Sequence, residues 1–311
     1  MSYVATLIGN PALAVLTPDM LAKASEVLSR PAAPQWLAFN VAADIPFEAS
    51  PGTNAKIVTE RIRASLDGEK IDVIVREERK RRKKLLLADM DSTMIREECL
   101  DEIADEIGIK AKIAAITERA MRGEVAFEPA LRERVGLLKG IDKAAINRVL
   151  AKRISLMPGG RTLVQTMRAN GAHTVLVSGG FSLFTSAVAG ALGFHEDRAN
   201  ELLFDAGGRL SGFVAEPVLG QNAKLQALRQ IRDKLKLGKE ETLAVGDGAN
   251  DLLMLEEAGL GVAFHGKPKV AAAAEARIDF ADLTSLLYAQ GYRRSDFIND
   301  APAKGWPQEQ N

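Results

Sequence analysis

Short, unbroken apolar runs recur through the second part of the chain. They are Leu85-Leu86-Leu87-Ala88, Thr174-Val175-Leu176-Val177, Thr242-Leu243-Ala244-Val245 and Gly261-Val262-Ala263-Phe264. None alternates apolar with polar, as a strand with one wet face would. Continuous runs of this length suit strands of a parallel sheet covered on both faces. Helical stretches separate or follow them at 161–170, 182–192, 223–236 and 251–258. Strand then helix, repeated, predicts a doubly wound, mainly parallel α/β sheet. Ligands of such sheets sit beyond the carboxyl ends of the strands, and Asp89, Ser178 and Asp247 all fall at those ends.

Two intervals break the alternation. Between 91 and 158 the pattern gives several helices, at 98–107, 111–121, 128–138 and 143–153, too many for a simple crossover. They predict a helical cap inserted at about 97–157. The second insertion, 202–219, carries Asp205-Ala206-Gly207-Gly208 between two strand-like runs and predicts a β-hairpin. Residues 1–80 form a separate pattern: strands at 3–8, 35–41 and 71–75, with helices starting at Thr17-Pro18-Asp19 and spanning 54–66. Thr17 suits a helix cap and Pro18 the first helical position. This small α/β unit resembles, in pattern alone, the ACT-like regulatory domains that precede some amino-acid enzymes. The second domain is expected over 81–293. The polar stretch 294–311, with Pro302 and Pro307, is expected to be a flexible tail.

Composition adds exclusions. A length of 311 residues suits about two domains, and 47% hydrophobic residues supply a sizeable core. Lys and Arg number 41 and Asp and Glu 41, so no net charge steers the chain toward nucleic acid or membrane. The lone cysteine, Cys99, excludes an internal disulfide framework and fits a reducing compartment. No run approaches the roughly 20 apolar residues of a membrane span. The N-terminal stretch has no basic leader and is interrupted by Asn10-Pro11, so a secretory signal is not expected. The expectation is a soluble cytoplasmic protein. The basic run Arg79-Lys80-Arg81-Arg82-Lys83-Lys84 reads either as a nucleic-acid or localisation patch or as a solvated junction entering a strand. Without interleaved aromatics for base stacking, the junction is favoured. No nucleic-acid or membrane partner is expected.

The candidate chemistry lies at the strand ends. Asp89 and Asp91, two apart in a loop, can point the same way. One such carboxylate can attack an electrophile. The other can hold a proton, because a neighbouring like charge raises its pKa. Both attract a hard divalent cation. Asp247 and Asp251 follow another strand, separated by Gly248-Ala249-Asn250. Asp247 could complete an oxygen ligand set while Asp251 holds it from behind. Mg²⁺ fits oxygen ligands shared with a phosphate. Zinc is disfavoured, since His173, His195 and His265 are scattered and form no Cys/His cluster. Ser178-Gly179-Gly180, where a strand turns into a helix, offers a hydroxyl and amides to an anion. Lys224, near a helix start, could neutralise a phosphoryl oxygen. Singly, these features read as an acidic turn, an ordinary strand–helix turn and a surface lysine. Together they read as a phosphate-transfer site. A Gly-x-x-x-x-Gly-Lys-Ser/Thr loop and a Gly-x-Ser-x-Gly elbow are missing, which argues against NTP hydrolysis and serine hydrolysis.

Asp-x-Asp-Ser-Thr, Ser-Gly-Gly, a downstream Lys and Gly-Asp-Gly-x-Asn-Asp, in that order, resemble the haloacid dehalogenase-like phosphatases. Glu98, Ala120-Met121-Arg122-Gly123-Glu124 with Phe127, and Leu131-Arg132-Glu133-Arg134-Val135 look like the cap of the phosphoserine phosphatase family within them. The match runs from about 85 to 287. Pro129-Ala130 departs from the polar pair expected before Leu131 and touches only a helix start. The resemblance implies that Asp89 takes the phosphoryl group and that Asp91 protonates the leaving oxygen and then activates water. It implies that Asp89, the Asp91 backbone carbonyl and Asp247 hold Mg²⁺. Ser178, Gly179 and Lys224 would bind phosphoryl oxygens with Asn250 close by. Glu98 and Arg134 would read the ammonium and carboxylate of O-phospho-L-serine, and Met121 and Phe127 would close the cap. The implied reaction releases L-serine, the last step of serine biosynthesis. Another small phosphomonoester is the alternative substrate. A phospho-accepting signalling domain is a further alternative, against which Asp91 and the cap argue. Oligomeric state, a homodimer included, and the role of the N-terminal unit are left open by the sequence.

Overall fold

The structure, a computed structural model, describes residues 2–50, 52–121 and 124–298. The chain opens with β1 (Ser2–Ile8), α1 (Pro18–Glu26), β2 (Gln35–Ala38), β3 (Ala42–Glu48), α2 (Ala55–Ser65) and β4 (Asp72–Glu77). The four strands form one antiparallel sheet in the order β2-β3-β1-β4, the split-βαβ arrangement. That topology is compatible with the ACT-like reading. It has one strand more than the sequence pattern gave. The expected strand at 35–41 ends early because Asn40 turns the backbone into the left-handed region (φ 56°), which Asn tolerates. The returning arm, β3, was hidden by Asp44 and Pro46. Pro46 is tolerated because its carbonyl, and hence its nitrogen, faces Ala32 beyond the end of β2, so no bond to β1 is lost. Thr17 and Asn54 cap the two helices with their side chains. One face of the sheet packs Leu7, Ile45 and Val73 against Leu21 and Ile62 of those helices. The other face sends Ile8, Ala42 and Ile74 into the core of the second domain.

The second domain runs through β5 (Leu85–Ala88), α3 (Cys99–Glu106), α4 (Lys110–Met121), α5 (Phe127–Gly136), α6 (Lys143–Arg153), α7 (Gly160–Ala169), β6 (His173–Phe181) and α8 (Ser182–Leu192). It continues with β7 (Glu196–Asn200), β8 (Leu202–Phe204), β9 (Leu210–Val214), α9 (Gln221–Lys234), β10 (Thr242–Gly246), α10 (Leu252–Glu257), β11 (Leu260–Phe264), α11 (Pro268–Ala273), β12 (Ala276–Ile278) and α12 (Ser285–Ala289). Six strands form a parallel sheet in the order β12-β11-β10-β5-β6-β7. The chain order reverses at β5, which makes the carboxyl ends of β5, β6 and β10 the crevice of the fold. Leu85 and Leu87 pack into one core layer and Leu86 and Ala88 into the other. Each of these residues is wholly buried, which explains the unbroken apolar runs. β7 and β12 escaped the sequence reading because they are short or polar strands at the sheet margins, where charged residues are tolerated.

The four helices α3 to α6 lie where the cap was expected. The hairpin β8-β9 lies within 202–219, and Asp205 Oδ1 accepts hydrogen bonds from the Gly207 and Arg209 amides in its turn. It extends the cap, because Leu210 exchanges backbone hydrogen bonds with the 140–141 segment. Among the described residues no helix is long and apolar enough to cross a membrane.

The basic run enters β5 as a junction with Arg79, Lys80, Arg82 and Lys84 exposed, but Arg81 and Lys83 depart from the solvated expectation. Arg81 makes a two-pronged pair with Asp44 (2.7 and 2.9 Å) and donates to the Tyr288 carbonyl (3.1 Å). Lys83 is buried, its ammonium donating to the carbonyls of Lys80 and Glu240. Arg82 lies 3.4 Å over the Tyr292 ring, and Lys84 pairs with Glu241. Through Asp44 and Tyr288, Arg81 clasps the N-terminal sheet to the second domain. The start of the expected tail is likewise attached: Phe297 is buried against Tyr288, and the Ile298 amide donates to Thr166 Oγ. Residues 299–311 lie outside the described residues.

Candidate active site

The loop after β5 is a tight turn around one carbonyl. The Asp89 amide still bonds to Val245 and so continues the sheet. The amides of Thr93, Met94 and Ile95 then all point at the Met90 oxygen (3.2, 2.9 and 3.1 Å). Met90 is buried, and Ser92 sits in the left-handed region (φ 55°), a conformation held only where surrounding structure demands it. Asp89 and Asp91, on either side of Met90, both line one cavity of about 180 Å³.

Beneath Asp89 lies an ion triad. Lys224 Nζ sits 2.5 Å from Asp89 Oδ1 and 2.6 Å from Asp251 Oδ1, and only 4% of its side chain is exposed. Burial alone would lower the lysine pKa. The charges of Asp251 and Asp89 outweigh it and hold the ammonium above its usual range. Asp251 also accepts from the Gly248 amide at 3.0 Å, so each of its oxygens already has a donor. The glycines of Gly-Asp-Gly make this possible: a Cβ at Gly246 would collide with the Asp251 carboxylate, and one at Gly248 with Asn250.

Oxygens of Asp89, Asp247 and Asp251 lie within 4.8 Å of one another, all three residues being buried. This set fits a hard divalent cation: oxygen donors only, and more negative charge than Lys224 neutralises. Asp251 is committed to Lys224 and Gly248, which suits the holding role expected for it. Asp247 is pushed upward in pKa by burial, against the pull of Lys267 at 3.3 Å.

Asp91 is half-buried in the cavity. Its Oδ1 accepts from the Cys99 amide (2.8 Å) and its Oδ2 from Ser178 Oγ (3.2 Å). Burial raises its pKa, the bonds from Cys99 and Ser178 opposing. Asp89 is raised well above the usual carboxyl range by burial and the Asp251 charge, with Lys224 opposing. Ser178 Oγ in turn accepts from the Gly180 amide (2.8 Å). Gly179, Asn250, Glu98, Phe127 and Arg134 line the same cavity. Lys224 borders, with Ser178 and Gly179, a smaller hollow of about 120 Å³ behind it. Glu98 precedes α3 and accepts from Ser92 Oγ (2.8 Å). Its edge opens to solvent at the cavity mouth, yet crowding by the cap and then the Asp91 charge push its carboxyl up to about 7. The Arg134 guanidinium bonds only weakly to Ala130 O and Thr117 Oγ. Among the described residues no carboxylate lies within 4.0 Å of it, so it faces the cavity with its charge uncommitted. Met121 ends α4, but its side chain is outside the described atoms, as are Arg122 and Gly123.

Sequence reasoning missed Lys267 and the roles of Gly180 and the Cys99 amide. A Cβ at Gly180 would come 3.1 Å from Ser178 Oγ and 3.3 Å from Asp91 Oδ2. The third residue of Ser-Gly-Gly could have signalled this close approach. Lys267 carried no signal, being one exposed lysine before Pro268. The histidines lie outside the cavity lining: His173 and His195 stack on each other at 4.7 Å, and His265 reaches the Ala281 carbonyl.

With the cap, switch-point sheet and carboxylate cluster in place, comparison with known proteins becomes specific. The sequence profile of the haloacid dehalogenase-like hydrolases matches residues 86–256, and the chain belongs to that family. A probable phosphoserine phosphatase of Schizosaccharomyces pombe is 44% identical over 211 residues, covering 68% of this chain and 70% of that one. A phosphoserine phosphatase of Polaromonas sp. is 43% identical over 209 residues, covering 66% and 88%. The crystal structure of a HAD family hydrolase from Salmonella enterica serovar Typhi superposes with a TM-score of 0.82 at 28% identity, covering 93% of this chain and 98% of the other. The similarity to that structure thus extends through the N-terminal unit.

Proposed function

We propose that the chain hydrolyses O-phospho-L-serine to L-serine and phosphate, with Mg²⁺ as cofactor and Asp89 as carrier of the phosphoryl group. One observation carries the reading: a single small cavity has paired carboxylates and anion donors at its base, and at its wall Glu98 and Arg134, a cation with no carboxylate partner among the described residues. A zwitterionic amino acid ester needs both halves, and the two relatives described above carry that activity in their names.

Asp89 attacks phosphorus. The phosphorus–serine oxygen bond breaks, and the leaving oxygen takes a proton from Asp91, a carboxyl whose pKa burial shifts upward. Water then attacks the aspartyl phosphate and gives a proton back to Asp91. Phosphate leaves, and Asp89 is restored as a carboxylate. Ser178 Oγ, the Gly179 amide and Lys224 stabilise phosphoryl oxygens, and Asn250 flanks them. Glu98 receives the substrate ammonium and Arg134 its carboxylate, while Phe127 excludes water from the cap side. Asp89, the Asp91 carbonyl and Asp247 would hold Mg²⁺, which supplies neutralising charge to the attacking and transferred oxygens. Uncatalysed phosphate monoester hydrolysis is so slow that enzymes accelerate it by up to ~10²¹, and positioning and charge must provide most of that. A cytoplasmic location is part of this reading, supported by a free, buried Cys99. A homodimer enters none of its steps.

The test is phosphate release with Mg²⁺ from O-phospho-L-serine, O-phospho-L-threonine and phosphoethanolamine. The expected order places phosphoserine first in kcat/KM. Equal values for phosphoethanolamine would remove the carboxylate-reading role and leave a general phosphomonoesterase.

A further inference from the structure

The N-terminal unit grips the second domain at several places, and one of them is the short segment 279–281. Asp72, the first residue of β4, is fully buried. Its carboxylate accepts three consecutive amides: Asp279 (2.7 Å), Phe280 (3.1 Å) and Ala281 (2.9 Å). Among the described residues no cation pairs with it, so these amides are what offsets the burial of its charge. Asn10 Nδ2 donates to the Phe280 carbonyl (3.0 Å). The segment is therefore held through both its amides and a carbonyl.

That segment in turn holds the metal-side loop. The Ala281 carbonyl can only accept, so His265 Nε2, 3.0 Å away, carries the hydrogen. The His265 amide donates to Ile278 (2.7 Å), the residue just before the segment. His265 has a left-handed backbone (φ 46°) that turns the chain out of β11. Two residues on, the Lys267 amide donates to the Asp247 carbonyl (3.0 Å), and Lys267 Nζ pairs with the Asp247 carboxylate (3.3 Å). The segment also continues into the cap's return to the sheet: the Leu283 amide donates to Pro158 (3.1 Å), and a Cβ on Gly159 would fall 2.7 Å from the Thr284 nitrogen.

We infer that Asp72 is a positioning residue for the metal site: through 279–281 and His265 it fixes the 265–267 loop, and so Asp247. The N-terminal unit is then a buttress of the catalytic rim. This rests on the reading of Asp89 and Asp247 as metal ligands. Mere cementing of two domains is the competing account, and the Arg81–Asp44 clasp provides its control. That clasp crosses the same interface but ends on the carbonyls of Tyr288 and Ala289, away from 279–281.

The experiment is Mn²⁺ binding to the metal-free full chain, read as the free-ion EPR signal well below the unfolding temperature of each variant. Asp72→Ala should weaken Mn²⁺ by about fivefold, within the range for coupling through packed networks. Asp72→Asn, which keeps one acceptor oxygen, should lose less. His265→Asn tolerates the left-handed backbone but cannot reach Ala281, and should move in the same direction as Asp72→Ala. The double variant Asp72→Ala/His265→Asn should be no weaker than the worse single, because both act through one segment. Arg81→Met should lower the urea midpoint and leave Mn²⁺ affinity within about twofold, as expected for a site it does not touch. Unchanged affinity in Asp72→Ala, or an equal loss in Arg81→Met, overturns the inference. If Asp72→Ala does not fold, Asp72→Asn and His265→Asn decide by the same criteria. Wild-type chain that binds no Mn²⁺ removes the metal reading, and the inference with it.

Discussion

Replacing Lys224 by Met tests the electrostatic design of the site without touching its shape. The ammonium lies 2.5 and 2.6 Å from two buried carboxylates. Removing one partner from a buried ion group leaves uncompensated charge, at a cost of about 3–5 kcal/mol. With a urea m-value of about 3 kcal/mol/M, the midpoint should fall by about 1–2 M. The assay is urea unfolding followed by circular dichroism, in EDTA so that no dication compensates, at pH 5 and pH 8. The pH dependence has a definite sign. In the wild-type chain Lys224 is raised above its usual value. Its contribution is present below the unfolded lysine value and is lost only as pH rises through the higher folded value, so it is constant between pH 5 and 8. In the variant the pull of Lys224 on Asp89 is gone, and Asp89, already raised by burial and Asp251, rises further. The folded state then binds more protons than the unfolded state above the ordinary Asp range, so stability falls as pH rises. The deficit should be larger at pH 8 than at pH 5. A deficit below about 1 kcal/mol, typical of solvated pairs, or one that grows on acidification, would refute the triad as a buried charge compensator.

Other expectations follow from single contacts. Asp89→Asn should lower kcat by at least about 10⁴-fold, as loss of an enzyme nucleophile does, with near-native circular dichroism; appreciable phosphate release would reassign the nucleophile. Arg134→Ala should reduce kcat/KM for phosphoserine by about 10²-fold or more, the scale of a truncated charge contact. The same variant should change phosphoethanolamine hydrolysis far less, and equal losses would end its recognition role. Gly180→Ala places a methyl 3.1 Å from Ser178 Oγ and 3.3 Å from Asp91 Oδ2; kcat should fall about 10-fold or more, given the precision such sites require, while stability moves little. Phosphate-release kinetics and thermal melts separate the two. Chelation should abolish turnover and lower the melting temperature, and Mg²⁺ should restore both through binding linkage; a melt insensitive to EDTA and Mg²⁺ would contradict a site built around an ion.

Legibility in the sequence followed burial. β5, β6, β10 and β11 were readable because both faces of the sheet are covered, so their central positions are apolar without alternation. β7 reads Glu-Asp-Arg-Ala-Asn and carries no such mark, since its pairing comes from β6 and not from its own side chains. β3 was concealed by Asp44, whose buried carboxylate is met by Arg81, 37 residues on, and by the Thr6 hydroxyl. The same pairing explains the misreading of the basic run: Arg81 and Lys83 look solvated in sequence, and their partners come from distant segments. The site was legible where motif residues touch each other directly, as Asp89, Lys224 and Asp251 do. Lys267 escaped because its meaning depends on the left-handed turn at His265 and on Asp247, neither of which leaves a local pattern.

A chain with no net charge nonetheless gathers a surplus of acid at this cavity. Asp89, Asp91, Glu98, Asp247 and Asp251 face Lys224, Lys267 and Arg134, so five carboxylates meet three cations. Phosphoserine brings a phosphate dianion into that field. Burial raises the pKa values of Asp89, Asp91, Asp247 and Glu98, and neighbouring carboxylates add to the rise at Asp89, Asp247 and Glu98. A dication would cancel the two-charge surplus, and a proton retained on Asp91 would leave the cavity slightly positive, the sign a phosphate ester needs. The order of binding follows from that balance: a non-hydrolysable phosphonate analogue of phosphoserine should show no measurable heat of binding to the wild-type chain in EDTA at low ionic strength and should bind when Mg²⁺ is present. Binding of equal strength in both conditions would mean that Arg134 and Ser178 alone overcome the acidic field, and the charge balance would then play no part in substrate entry.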